Sequence, residues 1–128
     1  MERVTGIGGI FFKAEDPKKL QAWYRDNLGV QLEEGGYAVF KWAENDAKRD
    51  AVTVWSTFSK DTNHFQPSKA PFMINYRVNN LDAMLAQLKS KGVEQVGGIE
   101  ESTELGRFAW VMDPEGNKIE LWQPPESK

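Results

Sequence analysis

An internal repeat constrains the fold of this chain more than any other feature of its sequence. A shift of roughly 64 positions lays Gly9 on Met73 and Asp16 on Asn80. After gaps, the segment AVTVW (51–55) falls on KIELW (118–122). Because about 60 residues bury too little apolar surface to be stable alone, the two halves must share a core. We expect a single domain over 1–128, with halves at about 1–58 and 71–128 and a polar linker at 59–70.

Each half contains one amphipathic helix pattern. The two patterns are DPKKLQAWYRDNLGV (16–30) and NNLDAMLAQLKSKGV (79–93). Asp16 and Asn80 are suitable N-caps, Pro17 suits a first helical position, and Gly29 and Gly92 can end the helices. Apolar residues then recur at helical spacing: Leu20, Trp23, Tyr24 and Leu28 in the first pattern, and Leu81, Met84, Leu85 and Leu88 in the second.

Strand patterns precede and follow each helix. They cover 7–13, 37–42 and 51–55 in the first half, and 72–78, 107–112 and 118–122 in the second. Each half therefore contains a strand, a helix and two or three further strands. Helices packed on one face of largely antiparallel strands predict an α+β fold.

The composition excludes several classes of function. The formal net charge of -3 and the pI of about 5.2 disfavour nucleic-acid binding, which needs a clustered basic surface. There are no cysteines, so disulfides and thiolate chemistry are excluded. The opening MERVTGIGGIFF holds an apolar run too short for a signal peptide or a membrane span. We expect a cytoplasmic protein with no nucleic-acid or membrane partner.

Strand alternation separates two faces of the predicted sheet. A uniformly apolar face should pack on the helices through Ile10, Phe12, Val52, Val54, Ile74, Tyr76, Val78, Ile119 and Leu121. The opposite face would carry Gly9, Phe11, Ala51, Thr53, Trp55, Met73, Asn75, Arg77, Lys118, Glu120 and Trp122, with Phe40, Trp42, Phe108 and Trp110 added by the remaining strands. Aromatic, amide and charged groups on one face are typical of a ligand cavity.

Glu120 is the most unusual residue of that mixed face, because it interrupts a short apolar strand. One interpretation is a structural ion pair with Arg77, Lys118 or Arg107. The tryptophans likewise have an ordinary interpretation as core or dimer-interface residues. Several unusual residues on one face nevertheless favour a cavity.

Particular motifs resemble the vicinal oxygen chelate superfamily. They are the D-P-x-x-L helix start, the following W-Y-R-D-N-L-G, and the closing D-P-E-G-N-K-I-E-L-W. That superfamily includes glyoxalase I, extradiol dioxygenases, fosfomycin-resistance transferases and bleomycin-resistance proteins. The resemblance covers nearly the whole chain and implies two βαβββ repeats that form a curved mixed-sheet cup with the helices on its outer face.

The resemblance also implies where a metal ion would bind. In metal-using members, His, Gln or Glu residues on the first and last strands of each half hold a divalent ion. The last of these positions matches Glu120, but the others fall on Gly9, Met73 and Thr53. The single histidine, His64, lies in the polar linker and is interpreted as a solvated loop residue, with a ligand contact on a folded-over loop as the alternative. We therefore expect no metal site and no cofactor, with a magnesium- or manganese-type site on Glu120 as the alternative.

The leading hypothesis is a metal-free small-molecule binding protein, similar to the drug-sequestering members of the superfamily. The expected ligand-binding residues are Phe11, Trp55, Asn75, Arg77, Trp110 and Trp122. The alternatives are a lyase, isomerase or hydrolase with Glu120 as catalytic general base and Arg77 as oxyanion partner, a metal-dependent glyoxalase-like enzyme, and a purely structural or protein-partner role. Exposed outer strands and many aromatic residues further predict a homodimer.

Overall fold

The computed structural model describes residues 1–28, 30–41, 52–113 and 115–125. Its elements are β1 (Val4–Ala14), α1 (Pro17–Leu28), β2 (Ala38–Lys41), β3 (Val52–Ser59), β4 (Phe72–Val78), α2 (Leu81–Ser90), β5 (Glu100–Ser102), β6 (Gly106–Met112) and β7 (Lys118–Gln123). Within these ranges, neither helix combines the length and the apolarity that crossing a membrane requires.

The seven strands form one curled mixed sheet in the order β2-β3-β1-β4-β7-β6-β5. The central pair, β1 and β4, is antiparallel, and each of these strands has a parallel neighbour, β3 and β7 respectively. The sheet curves into a half-barrel with two helices, so the predicted α+β cup is confirmed.

The strand register reveals how the two halves are related. Ile10 pairs with Ile74, 64 residues further along the chain, at the centre of the sheet. On the parallel neighbours, Phe11 pairs with Ser56, and Asn75 pairs with Glu120. Each residue of the second pair lies 64 positions after its counterpart in the first. The repeat thus needs no gap in these strands, and the predicted match of 51–55 with 118–122 is wrong by three residues. The counterpart of Glu120 is Ser56 and not Thr53.

Both helices begin where the sequence predicts. The Asp16 carboxylate accepts a hydrogen bond from the Lys19 backbone N–H at 3.1 Å, and the Asn80 side chain accepts one from the Ala83 N–H at 3.0 Å. After α2, Gly92 has a φ of 80°, a conformation that suits glycine. The predicted end of α1 at Gly29 lies outside the described residues.

The second half packs its helix tightly. Leu81 and Met84 of α2 are buried against a cluster that includes Val78, Val111 and Leu121 from the sheet. Tyr76 and Ile119 pack on the same cluster, as their predicted orientation requires. Burial of these side chains is what holds α2 on the convex face of the sheet.

The first half differs from prediction at β3. Trp55 packs on the helix side, with its ring centroid 5.5 Å from Phe12 and 5.0 Å from Tyr24 of α1. Val54 instead lies on the concave side, against a cluster of Phe11, Phe65, Met73 and Trp110. The predicted faces of Val54 and Trp55 are therefore wrong, because the gapped match of the repeats inverted the alternation of this strand. Ala51 and Trp42 lie outside the described residues.

The sequence gives no strand signal at β5. Its residues, Glu-Glu-Ser, are polar and exposed or half-buried, and they pair only with β6 at the sheet edge. The Arg107 guanidinium links this edge to α2, since it donates to Glu101 and, through two bonds, to Asp82. A short charged strand is a common way to protect a sheet edge from further pairing.

Candidate functional site

The concave side of the sheet encloses a cavity of about 310 Å³. Most of its wall is apolar, including Phe11, Val54, Phe58, Leu105, Phe108 and Trp122. Ser56, Asn75 and Glu120 also line it, together with Tyr37, whose phenol adds a hydroxyl group. Two larger depressions, along α1 and beside α2, lie outside the cup and do not include this buried polar cluster.

Glu120 is held at the cavity wall by its neighbours in the sheet. The residue is 4% exposed. Its Oε2 accepts a hydrogen bond from Asn75 Nδ2 at 2.7 Å, and Oε1 accepts one from Trp110 Nε1 at 3.2 Å. Both donors stand directly opposite Glu120 on β4 and β6, so the strand register itself fixes the carboxylate. A carboxylate has about four acceptor positions, which leaves capacity for a ligand.

Asn75 contributes a second acceptor. Its Nδ2 must face the carboxylate, which directs Oδ1 the other way, and Oδ1 is buried without a hydrogen-bond partner among the described residues. Oδ1 lies over the Cα of Gly8, where a Cβ would come within 2.0 Å of it. Glycine at position 8 is therefore what makes room for the Asn75 amide.

His64 belongs to the site, and its interpretation as a solvated loop histidine is wrong. Its ring stacks on Phe58 at 5.2 Å with an interplanar angle of 8°, and Nε2 lies 3.7 Å from Glu120 Oε1. The side chain is 32% exposed, so it bridges the carboxylate and solvent. The missed signal is Phe65, an apolar residue in a polar linker that is fully buried and carries its neighbour into the cup.

Lys118 fixes the linker over the cup. Its Nζ donates a hydrogen bond to the His64 carbonyl oxygen and lies 5.5 Å from the centroid of the Trp110 ring. Burial lowers the pKa of Lys118, while the attraction of Glu120 acts in the opposite direction. The amine thus holds the linker and makes no direct hydrogen bond to Glu120.

The structure brings together four of the predicted site residues. Phe11, Asn75, Glu120 and Trp122 all line the cavity. Trp122 is fixed by a hydrogen bond from Nε1 to the Leu105 carbonyl oxygen at 2.7 Å. Its ring lies nearly parallel to that of Phe108, with the centroids 6.3 Å apart. These aromatic side chains form a rigid wall.

The other three predicted residues are placed differently. Trp110 does not line the cavity but holds Glu120 from behind, buried beside Phe65 and Met73. Trp55 lies on the opposite face of the sheet, so its predicted place in the cup is wrong. Arg77 stands beside Trp122 in the register, yet it is not part of the cavity lining. The predicted alternative of an Arg77–Glu120 pair is also wrong, because the side-chain hydrogen bonds to Glu120 come from Asn75 and Trp110.

The described residues do not fit the divalent ion that the fold family implies. Gly9, Met73 and Ser56 stand at the other three repeat-related positions and offer no strong ligand. Both oxygens of Glu120 already accept N–H hydrogen bonds, so Glu120 offers a metal ion at most its remaining lone pairs. Within the described ranges, no group of three His, Asp or Glu side chains comes close enough to hold a metal ion.

Three solved structures share the fold at low sequence identity. A methylmalonyl-CoA epimerase from Mycobacterium tuberculosis is 23% identical, with a TM-score of 0.64 and coverage of 96% of this chain and 90% of that one. A Streptomyces coelicolor methylmalonyl-CoA epimerase in complex with 2-nitronate-propionyl-CoA is 16% identical, with a TM-score of 0.71 and coverage of 97% and 100%. A glyoxalase/bleomycin resistance protein/dioxygenase superfamily member from Vibrio splendidus 12B01 is 11% identical, with a TM-score of 0.57 and coverage of 96% and 99%.

Comparison with curated proteins finds no match. The profile of the glyoxalase-like domain family, however, matches residues 9–122, which span both repeats and the whole cup. The resemblance to the vicinal oxygen chelate superfamily is thereby confirmed. The chain belongs to the glyoxalase-like domain family.

Proposed function

We propose that this glyoxalase-like protein binds a small, flat organic molecule in its cup without the help of a metal ion. The observation that carries the proposal is a buried carboxylate, oriented by Asn75 and Trp110, that opens onto an otherwise apolar cavity. Ligand sites combine apolar walls with a few fixed polar groups in this way. Each aromatic contact with the wall adds about 0.5–1.5 kcal/mol beyond area burial.

Tryptophan fluorescence tests this function with a set of mono- and bicyclic aromatic compounds. Trp122 lines the cavity, whereas Trp23 is 52% exposed on α1, outside the cup. A binding compound should change the emission of the wild type and of Trp23→Phe, and the change should shrink strongly in Trp122→Phe. A response that disappears in Trp23→Phe and persists in Trp122→Phe would place the ligand elsewhere.

The second candidate is a lyase or isomerase in which Glu120 removes a proton from a carbon acid. The distance of 3.7 Å between His64 Nε2 and Glu120 Oε1 favours it, since a small approach of the two groups or one bridging water would let the partly exposed His64 pass that proton to solvent. The epimerases among the structural neighbours are consistent with an enzyme on this fold. Arg77 has no part in the scheme, because it does not line the cavity.

Proton abstraction can be tested without knowing the product. Carbon acids such as 2-methyl-3-oxo acids and thioesters are incubated in D₂O, and loss of the C–H signal is followed by NMR. Exchange should be catalysed by the wild type, abolished in Glu120→Gln and slowed in His64→Gln. Equal exchange by the wild type and Glu120→Gln would exclude Glu120 as the base.

A homodimer is proposed from the convex face of the sheet. Ile7, Ile10 and Phe72 lie on β1 and β4 and are exposed by 41%, 41% and 45%. Three large apolar side chains at the sheet centre suggest a partner surface. Light scattering after size exclusion should give twice the mass of 14.6 kDa for the wild type and a monomer for Ile10→Glu. A wild-type monomer would refute the dimer. The cytoplasmic location stays a prediction.

A further inference from the structure

Glu120 and Asn75 present unused hydrogen-bond acceptors in the wall of the cavity. Glu120 retains free lone pairs after its two hydrogen bonds, and Asn75 Oδ1 has no donor among the described residues. Because Nδ2 faces the carboxylate, this unpaired oxygen lies on the far side of the amide, over Gly8, which also lines the cavity. A buried acceptor without a donor is unfavourable, and a ligand that supplies donors removes that cost.

The electrostatics of the cavity point in the same direction. Of the described residues that line it, Glu120 is the charged one, and none carries a cationic side chain. The nearby Lys118 amine is directed to the His64 carbonyl oxygen. His64 Nε2, at 3.7 Å, stands too far from Glu120 Oε1 for a hydrogen bond. Because Glu120 is the charged residue that a ligand in the cavity would contact directly, a cationic ligand is favoured over an anionic one.

The aromatic walls suit a flat cation as well. Trp122 and Phe108 lie side by side, and Phe11 and Phe58 pack at 5.6 Å on the first-half side of the same cavity. Such rings bury apolar surface and attract a positive charge near their faces. Ser56 adds a hydroxyl that can accept a further N–H.

From these three observations we propose that the natural ligand is an arylalkyl amine or a related organic cation whose N–H head group binds Glu120 at the polar end of the cavity. The inference rests on the binding function proposed above and names its ligand class. Glu120 supplies a charge-assisted hydrogen bond, and the aromatic wall holds the apolar end. A ligand of the same shape without N–H groups makes no hydrogen bond to the remaining lone pairs of Glu120.

A matched ligand series tests the inference. The probes are 2-phenylethylamine, 2-phenylethanol, 3-phenylpropionate and propylbenzene, each with its naphthyl analogue, titrated into the wild type by calorimetry and NMR at pH 7. The amine should bind at least about tenfold more tightly than the alcohol, since a hydrogen bond to a charged group contributes about 1.5–3 kcal/mol. The hydrocarbon should be weaker again, and the propionate weakest.

Two variants locate the selectivity. Glu120→Gln should weaken the amine about 10- to 100-fold and the alcohol less than about threefold. Glu104→Gln is the control. It removes the same charge from an exposed residue that is next to Leu105, which lines the cavity. It should leave the ranking unchanged. If Glu120→Gln fails to fold, the wild-type ranking alone decides.

The outcomes separate the two proposals. If amine, alcohol and hydrocarbon bind equally, or if the propionate binds as tightly as the amine, the binding function stands and the cationic ligand class is wrong. If no compound of either series binds at millimolar concentration, both proposals fail. An amine preference that survives Glu120→Gln but is lost in Glu104→Gln would also overturn the inference, because it would move the selectivity to the rim.

Discussion

The two halves of the sheet enclose one cup, but only the second half supplies its buried polar groups. At positions 64 residues apart, Phe11 corresponds to Asn75, Val54 to Lys118, Ser56 to Glu120 and Phe58 to Trp122. The first half thus offers apolar or small side chains wherever the second offers an amide, an amine or a carboxylate. The repeat accounts for the shape of the cup, and the divergence of its halves accounts for its chemistry.

The helices differ in the same sense. α2 buries Leu81 and Met84, whereas α1 keeps Leu20 half-buried and Trp23 more than half exposed. The half that must position a carboxylate is therefore also the half with the better-packed helix. Rigid support of this kind is what holds a functional side chain in place.

The largest effect on stability is expected when a carboxylate is introduced in the first half at the position that corresponds to Glu120. Ser56→Glu should lower the free energy of unfolding by about 2–4 kcal/mol, because Phe11 and Val54 stand where Asn75 and Lys118 support Glu120. The new carboxyl faces an apolar wall and Glu120, so its folded pKa should rise above that of the unfolded chain. The folded variant then binds more protons, and its deficit should grow from pH 5 to pH 8.

Urea unfolding at several pH values measures this effect, and Ser56→Gln provides the uncharged control of similar size. Ser56→Gln should lose less stability, and its loss should not depend on pH. Equal losses in both variants would mean that the halves differ in available volume rather than in support for a charge.

Next in size is the difference in helix packing. Met84→Ala should cost about 2–4 kcal/mol, as is usual for a buried residue, and Leu20→Ala, 64 positions earlier, only about 1 kcal/mol because Leu20 is half-buried. Urea unfolding of both variants provides the comparison. Losses of equal size would show that α1 is as important to the core as α2 and would remove this asymmetry.

Much of the fold follows from local signals. The helix starts at Asp16 and Asn80 follow from capping chemistry, and the outer faces of β4 and β7 follow from alternation. The predicted face of Trp55 was wrong because it depends on the alignment of β3 with its repeat. The gap in that alignment shifted β3 by three residues, an odd number, which inverts the two faces of the strand. The uninterrupted 64-residue offset would have placed it correctly.

The sequence predicted only those site residues that lie on strands. Asn75 and Glu120 lie opposite each other on parallel strands, so their meeting follows from the sheet. His64 reaches the cup through the path of a linker, which depends on the burial of Phe65 and on the Lys118 hydrogen bond. Such long-range packing leaves no periodic pattern in the sequence.

Lys118 should make the free energy of unfolding depend on pH, which its uncharged first-half counterpart, Val54, cannot do. This effect is smaller than those above. Burial holds the pKa of Lys118 below its ordinary value, so the folded state binds fewer protons than the unfolded state between the two pKa values. The stability of the wild type relative to Lys118→Met should therefore rise as the pH increases from 7 towards 10. Urea unfolding at pH 7, 8.5 and 9.5 measures it. Lys69→Met, which removes an exposed linker lysine, should show no such trend, and a similar trend in both would refute the assignment to Lys118.

The smallest expected effect concerns the first turn of each helix. α2 has Asp82 there, whose pKa is lowered by hydrogen bonds from Arg107, while α1 has Lys18, 64 positions earlier and next to the positive end of the helix dipole. Lys18→Glu should stabilise the protein by about 0.3–1 kcal/mol, and the gain should shrink in 0.5 M salt. Lys69→Glu makes the same change of charge in the linker. Because the chain already carries a net charge of -3, extra negative charge alone should not stabilise it. A gain in thermal unfolding temperature confined to Lys18→Glu would assign the difference to the helix end, and an equal gain in both variants would contradict it.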